Sequence, residues 1–290
     1  MLSGSIVALV TPMTIDGKVD WRAMDDLLEW HIEMGTAGIV PVGTTGESAT
    51  VSMAEHCEIV EYVVNSVRKR VPVIAGTGAN ATWEAIELTK AAKEVGADAC
   101  LLVTPYYNKP TQEGLYQHYK AIADAVDLPQ VLYNVPSRTA CDMLPQTIAR
   151  LSKLDSVVAV KEATGDIDRT KQILDLCDLV VYSGDDLSAR ELMLNGAKGT
   201  ISVTANVAPE KMAAMCNAAI AGQAEDAALI DKSLVGLHNH LFLEANPIPV
   251  KWALAEMGLI PRGIRLPLTP LSTEHHDRVR DSMRLAGVKK

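Results

Sequence analysis

Ser156-Val157-Val158-Ala159-Val160-Lys161-Glu162 is an almost unbroken β-branched run that ends in an amine. A run this apolar reads as a strand buried on both faces, as strands of parallel sheets are. Comparable short runs lie at 6–10, 38–42, 73–74, 99–103, 130–133, 179–182 and 199–202. Segments of helical period separate them. Ala81, Ala85, Leu88, Ala92 and Val95 step by four and three residues, as do Leu115, Tyr119, Ile122 and Val126, which places each set on one helix face. Ser52-x-x-Glu55 reads as a capping box ahead of another helix. No Pro/Gly/Ser-rich linker interrupts the alternation before about residue 205, so the pattern predicts an α/β protein, a (β/α)8 TIM barrel over 1–207. The strand signal then stops. Ala-rich helical stretches at 210–221, 224–243 and 250–257, broken by Asn246-Pro-Ile-Pro249, predict a C-terminal helical segment over 208–290.

Composition narrows the function classes. The chain has 290 residues, 48% hydrophobic and 22% charged, which suits a packed globular protein and neither a disordered nor a fibrous one. Only 4% are aromatic, with a single Phe, so Val, Ile, Leu and Ala must fill the core. A net charge of −9 offers no general attraction to nucleic acid or an anionic membrane. The longest apolar runs are far shorter than the roughly 18 residues of a membrane span, and the N-terminus lacks a basic region before its apolar stretch, so the expected location is cytoplasmic. Cys57, Cys100, Cys141, Cys177 and Cys216 are odd in number and form no C-x-x-C pair, which reads as reduced thiols rather than a zinc or disulfide framework. His238 and His240 diverge on a helix and His275 and His276 are adjacent, so no metal site is expected.

On the barrel reading Lys161 enters the mouth from the carboxyl end of the sixth strand, where barrel active sites lie. An amine attacks a carbonyl only when neutral, and at an ordinary pKa near 10.4 on the order of one in two thousand is neutral at pH 7. Desolvation removes much of that penalty, the route by which Schiff-base lysines arise. The plainer alternative is a surface lysine, or an ion pair with Glu162. Gly43-Thr-Thr-Gly-Glu-Ser48 follows the second strand; its N–H groups and hydroxyls suit a carboxylate, or the glycines simply make a tight turn. Glu47 stands where a Walker A lysine belongs. Tyr106-Tyr107-Asn108 and Tyr133-Asn-Val-Pro-Ser-Arg138 add phenols for proton relay and a guanidinium for a carboxylate at the same rim. His56, Asn80 and Glu84, near helix starts, read as caps or solvated groups on their own chemistry. A rival class remains: Gly76-Thr-Gly-Ala-Asn-Ala81 with Asp98 beyond it fits the permissive dinucleotide fingerprint of an oxidoreductase, although it follows the third strand. A catalytically silent binding protein on the same barrel is the other.

Seven motifs carry a family resemblance along essentially the whole chain: Gly43-Thr-Thr-Gly-Glu47, Thr104-Pro-Tyr-Tyr-Asn108, Tyr133-Asn-Val-Pro-Ser-Arg138, Val160-Lys-Glu-Ala163, Ser183-Gly-Asp-Asp186, Ile201-Ser-Val-Thr-Ala-Asn206 and Asn246-Pro-Ile-Pro-Val-Lys251. With them the chain resembles the dihydrodipicolinate synthases, within the pyruvate-dependent Schiff-base aldolases that also include N-acetylneuraminate lyase. The resemblance implies that Lys161 forms the Schiff base with pyruvate, and that Thr44, Tyr133 and Tyr107 relay protons, Tyr107 across a subunit interface. It implies that Thr45 helps hold the pyruvate carboxylate, that Arg138 binds the carboxylate of L-aspartate 4-semialdehyde, and that Gly184 and Ile201 line the pocket. No cofactor or metal is implied; a homotetramer in diaminopimelate and lysine biosynthesis is. Ser48, Ala49, His56, Asn80, Glu84 and Tyr106 match the site at which regulated members bind L-lysine, whereas Met53 departs from the histidine that some carry. The alternative within the family is a lyase or aldolase acting on a longer 2-keto-3-deoxy acid, and Arg138 is the discriminator.

Overall fold

The computed structural model describes residues 2–288. Eight parallel strands form one sheet: β1 (Gly4–Ala8), β2 (Gly38–Val40), β3 (Ile74–Gly76), β4 (Ala99–Val103), β5 (Gln130–Asn134), β6 (Val157–Glu162), β7 (Val180–Ser183) and β8 (Gly199–Ser202). Their order, β2-β1-β8-β7-β6-β5-β4-β3, brings β2 and β3 to the two ends. A parallel bridge between Ile39 and Val73 closes the ring, so the barrel predicted from the alternation of runs is present.

The predicted strands fall close to the observed ones, and the differences have local causes. The 6–10 run pairs as Gly4–Ala8 because the Val10 N–H donates to the Asn206 side chain (3.1 Å) rather than to a ladder carbonyl. At 73–74 the Val73 N–H donates to the Asp98 carboxylate (2.9 Å), and the strand begins one residue later. The predicted helix over 224–243 ends at His240, beyond which the Phe242 and Leu243 N–H groups bond three residues back in a tighter turn. Ser52 caps the helix Met53–Val67 by accepting from the Glu55 N–H (3.3 Å), as expected, while the Glu55 carboxylate pairs with Arg265.

Two apolar layers result. Ile6, Ala8, Val40, Ile74, Leu101, Val131, Ala159, Val180 and Ile201 fill the barrel interior with Tyr133 and Tyr182, and the opposite strand faces pack on the helices. Each such branched side chain taken out of water contributes about 1.5–3 kcal/mol. After β8 the helices Pro209–Ile220, Ala224–His240, Ile248–Glu256 and His276–Leu285 complete the chain; the first packs on β1 and β8, and the third sends its side chains toward the barrel mouth. Among the described residues no helix is long and apolar enough to cross a membrane.

One irregularity sets the direction of the lysine. The β5–β6 register slips between Gln130/Val131 and Val157/Ala159, leaving Val158 as an extra, partly exposed residue. Val157 faces the helices, and without the bulge Lys161, four residues on, would face them too. The inserted residue reverses the parity, so Ala159 and Lys161 point into the barrel.

Candidate active site

Lys161 sits opposite Tyr133 across the β5–β6 ladder, and its Nζ lies 4.3 Å from the centre of the Tyr133 ring. Both side chains are buried. Burial lowers the Lys161 pKa to about 8, with Asp186 opposing and Arg138 assisting the shift. At pH 7 that leaves about one amine in ten neutral, about two-hundredfold more than for an ordinary lysine. Burial raises the Tyr133 phenol, while the Arg138 charge and a hydrogen bond with Thr44 pull it back. The alternative pairing of Lys161 with Glu162 is absent: Glu162 faces the other way and takes Arg169 (3.0 Å), Asn134 (3.1 Å) and the Thr164 N–H (2.9 Å).

Gly184, next after β7, lies against the lysine. A Cβ there would stand 2.6 Å from the Ala163 Cβ and 2.9 Å from the Lys161 Cε. Gly184→Ala should therefore displace the amine and lower kcat/KM by about 100-fold, with melting temperature changed much less; steady-state kinetics and a thermal melt check this. Ile201 joins Tyr133 in the barrel interior, at 1% exposure.

The loop after β2 is built to leave donors free in its first half. Val42 adopts a left-handed φ of 51°, unusual for a β-branched residue, and turns the chain into the loop. The N–H groups of Gly46, Glu47 and Ser48 are spent on carbonyls of Gly43 and Thr44. Those of Gly43, Thr44 and Thr45 have no partner among the described residues, so the expected anion site narrows to the first half of the loop. The Thr45 hydroxyl accepts from the Asn246 side chain (3.0 Å), a contact spanning 201 residues. The fingerprint glycines have another use: a Cβ on Gly76 would meet the Val42 carbonyl at 2.5 Å and one on Gly78 the Val103 nitrogen at 2.4 Å. They let neighbouring barrel segments close up, and Asp98 is engaged by Val73 and Lys69, which removes the basis of the dinucleotide reading.

Arg138 stands exposed at the mouth on the short helix Pro136–Thr139, which proline at its first position pre-forms. It shares with Thr44 and Asn246 the wall of a cleft of about 450 Å³. The same cleft continues to Ser48, Ala49, Met53, His56, Glu84 and Tyr106. His56 donates from Nε2 to the Gly76 carbonyl (2.7 Å), and its burial lowers its pKa, so the expectation that it acts as a cap is replaced by a strand-anchoring bond. Asn80 holds the Tyr106 carbonyl (3.2 Å). Tyr107 does not join Tyr133 and Thr44 within one chain: it is 89% exposed, with a left-handed φ of 75°. Sequence reading singled out neither the Thr45 contact of Asn246 nor the field of Asp186 on Lys161; only the motifs around them marked the positions. Among the described residues no group of three or more His, Cys, Asp or Glu is placed to hold a metal ion.

A parallel barrel whose interior holds a desolvated lysine beside a tyrosine, with unpartnered N–H groups in the loop after β2, has the architecture of a carbonyl enzyme of the Schiff-base-forming class. Within that class the chain belongs to the dihydrodipicolinate synthetase family, whose profile matches residues 1–286. It is 61% identical over 290 residues to the 4-hydroxy-tetrahydrodipicolinate synthase of Ectopseudomonas mendocina (strain ymp), with 99% of each chain covered. The fold superposes with a TM-score of 0.98, at 57% identity and full coverage of both chains, on the chloride-inhibited dihydrodipicolinate synthase of Acinetobacter baumannii complexed with pyruvate. The enzyme of Cyanidioschyzon merolae with lysine bound gives 0.96 at 37% identity, with 99% of each chain covered.

Proposed function

We propose that the protein condenses pyruvate with L-aspartate 4-semialdehyde to 4-hydroxy-tetrahydrodipicolinate through a Schiff base on Lys161, a step of diaminopimelate and lysine biosynthesis. The buried amine over the Tyr133 ring is the observation that carries this reading. Neutral Lys161 adds to the keto carbon of pyruvate, whose carboxylate is held by the Thr44 and Thr45 loop. Tyr133, with Thr44 beside it, passes the proton that lets water leave the carbinolamine. Loss of a methyl proton from the iminium gives an enamine, which attacks the aldehyde carbon of the second substrate. Arg138 receives the carboxylate of that substrate at the mouth. The amino group of the semialdehyde then attacks the imine carbon, closes the ring and releases Lys161. Gly184 and Ile201 shape the pocket.

Tyr107, too exposed to act within one chain, is contributed to the relay by a neighbouring copy, which makes an oligomer necessary, and the family resemblance supports a homotetramer. The cleft beyond Thr44 suits L-lysine as an effector, with Ser48, Ala49, His56, Asn80, Glu84 and Tyr106 around it and Met53 in its wall. The solved relative with lysine bound supports this. The direct test is product formation from pyruvate and the semialdehyde, compared with retro-aldol cleavage of 2-keto-3-deoxy sugar acids. Turnover of the first pair alone supports the reading, and cleavage of the sugar acids alone points to the lyase. Tyr133→Phe should keep the fold and lose about 100-fold or more in kcat, because the ring remains and only the relay hydroxyl goes; a normal melt with a lowered kcat checks it.

A further inference from the structure

Glu47 and Lys251 form an ion pair at 0% and 4% side-chain exposure, joining the helix Ile248–Glu256 to the loop after β2. None of the chemical steps uses either group. Glu47 is itself held in a left-handed conformation, φ 60°. Its second oxygen accepts from the Arg265 N–H (3.1 Å). Arg265 in turn pairs with both Glu55 oxygens (2.5 and 2.6 Å) and donates to the Thr50 carbonyl (3.1 Å). Asn246, five residues before Lys251, reaches Thr45. The loop carrying Thr44 and Thr45 is thus pinned at both ends by the C-terminal segment. A buried ion pair is a poor source of stability, because desolvating the two charges offsets their attraction and an apolar pair of the same volume does as well. What it supplies in place of net stability is direction: the carboxylate must face Lys251 and the Arg265 N–H together, which allows one arrangement of the turn.

We infer that the Glu47–Lys251 pair is the positioning device of the keto-acid carboxylate site, through which the C-terminal segment sets the affinity for pyruvate. The inference rests on the assignment of the Thr44 and Thr45 loop to the pyruvate carboxylate. It concerns binding of the first substrate, so the pair should affect pyruvate and spare the semialdehyde.

The experiment uses the full-length double variant Glu47→Gln/Lys251→Met, which leaves no unpaired buried charge, beside Glu47→Asp, which keeps the charge and retracts it by one methylene. Both variants should raise the KM for pyruvate about tenfold, with the semialdehyde KM and kcat within about threefold of wild type. The double variant should melt near the wild-type temperature, since both charges are removed together. Loosening of the barrel as a whole predicts instead that both KM values rise, kcat falls and the melt drops with them. The inference is overturned by that pattern, or by a pyruvate KM within about twofold of wild type in Glu47→Asp and in a folded double variant. If the double variant does not fold, Glu47→Asp decides alone. Failure of the wild-type protein to be trapped by borohydride in the presence of pyruvate removes the carboxylate assignment itself, and the inference with it, before any variant is made.

Discussion

Lys161→Ala should leave a folded protein that turns over about ten-thousand-fold more slowly than wild type, the loss expected when the covalent route is removed. The other buried lysine among the described residues, Lys251, is engaged by Glu47, so no neighbouring amine stands in its place. Stability should not fall with activity. The Lys161 pKa is about 8 in the folded protein against an ordinary value of 10.5, so between these values the unfolded chain binds the more protons. Stability from this group therefore rises with pH across that window and is lost as pH falls through 8, where folding must bury a charge. Alanine removes that cost, offsetting the cavity it leaves, and the melting temperature at pH 7 should stay near wild type. The same titration governs the chemistry: the rate of pyruvate capture by wild type should climb with pH up to about 8 and then level. Single-turnover trapping over a pH series, with melts of both proteins, checks these points.

Arg138→Ala should lower kcat/KM for L-aspartate 4-semialdehyde about 100-fold while pyruvate is still captured on Lys161. The guanidinium is exposed at the mouth and, among the described residues, makes one hydrogen bond, a long one to the Asn246 carbonyl (3.4 Å), so little holds it there except what it binds. A charge-assisted bond to a carboxylate contributes about 1.5–3 kcal/mol, which sets the size of the loss. Arg138 is also one of the charges that lower the Lys161 pKa, so the midpoint of pyruvate capture should move up in pH in the variant. Steady-state kinetics in each substrate and the trapping profile read the two effects separately. An unchanged rate with the semialdehyde would assign the acceptor site elsewhere.

Much of this architecture was legible in the residues. The runs that end at Lys161, Tyr133 and Gly184 are apolar for the reason barrel strands are, and their carboxyl ends are the rim. Lys161 enters the mouth as expected, but by a route that was not legible, because a bulge at Val158 inverts the alternation and nothing in Ser156-Val-Val-Ala-Val160 marks which valine is extra. The loop Gly43–Ser48 looked like an anion site with every N–H available; the turn consumes three of them, which only the backbone path decides. Contacts such as Asn246 to Thr45 and Lys251 to Glu47 join residues about two hundred positions apart, beyond any local pattern. Tyr107 marks the other limit: its motif puts it at the rim beside Tyr106, and its own chain leaves it 89% exposed.

The central claim is that Lys161 carries pyruvate as an imine. Intact-protein mass after incubation with pyruvate and borohydride tests it, with wild type and Lys161→Ala treated side by side. The account predicts one reduced pyruvyl group on wild type and none on Lys161→Ala; wild type left unmodified, or an equal adduct on both proteins, would contradict it.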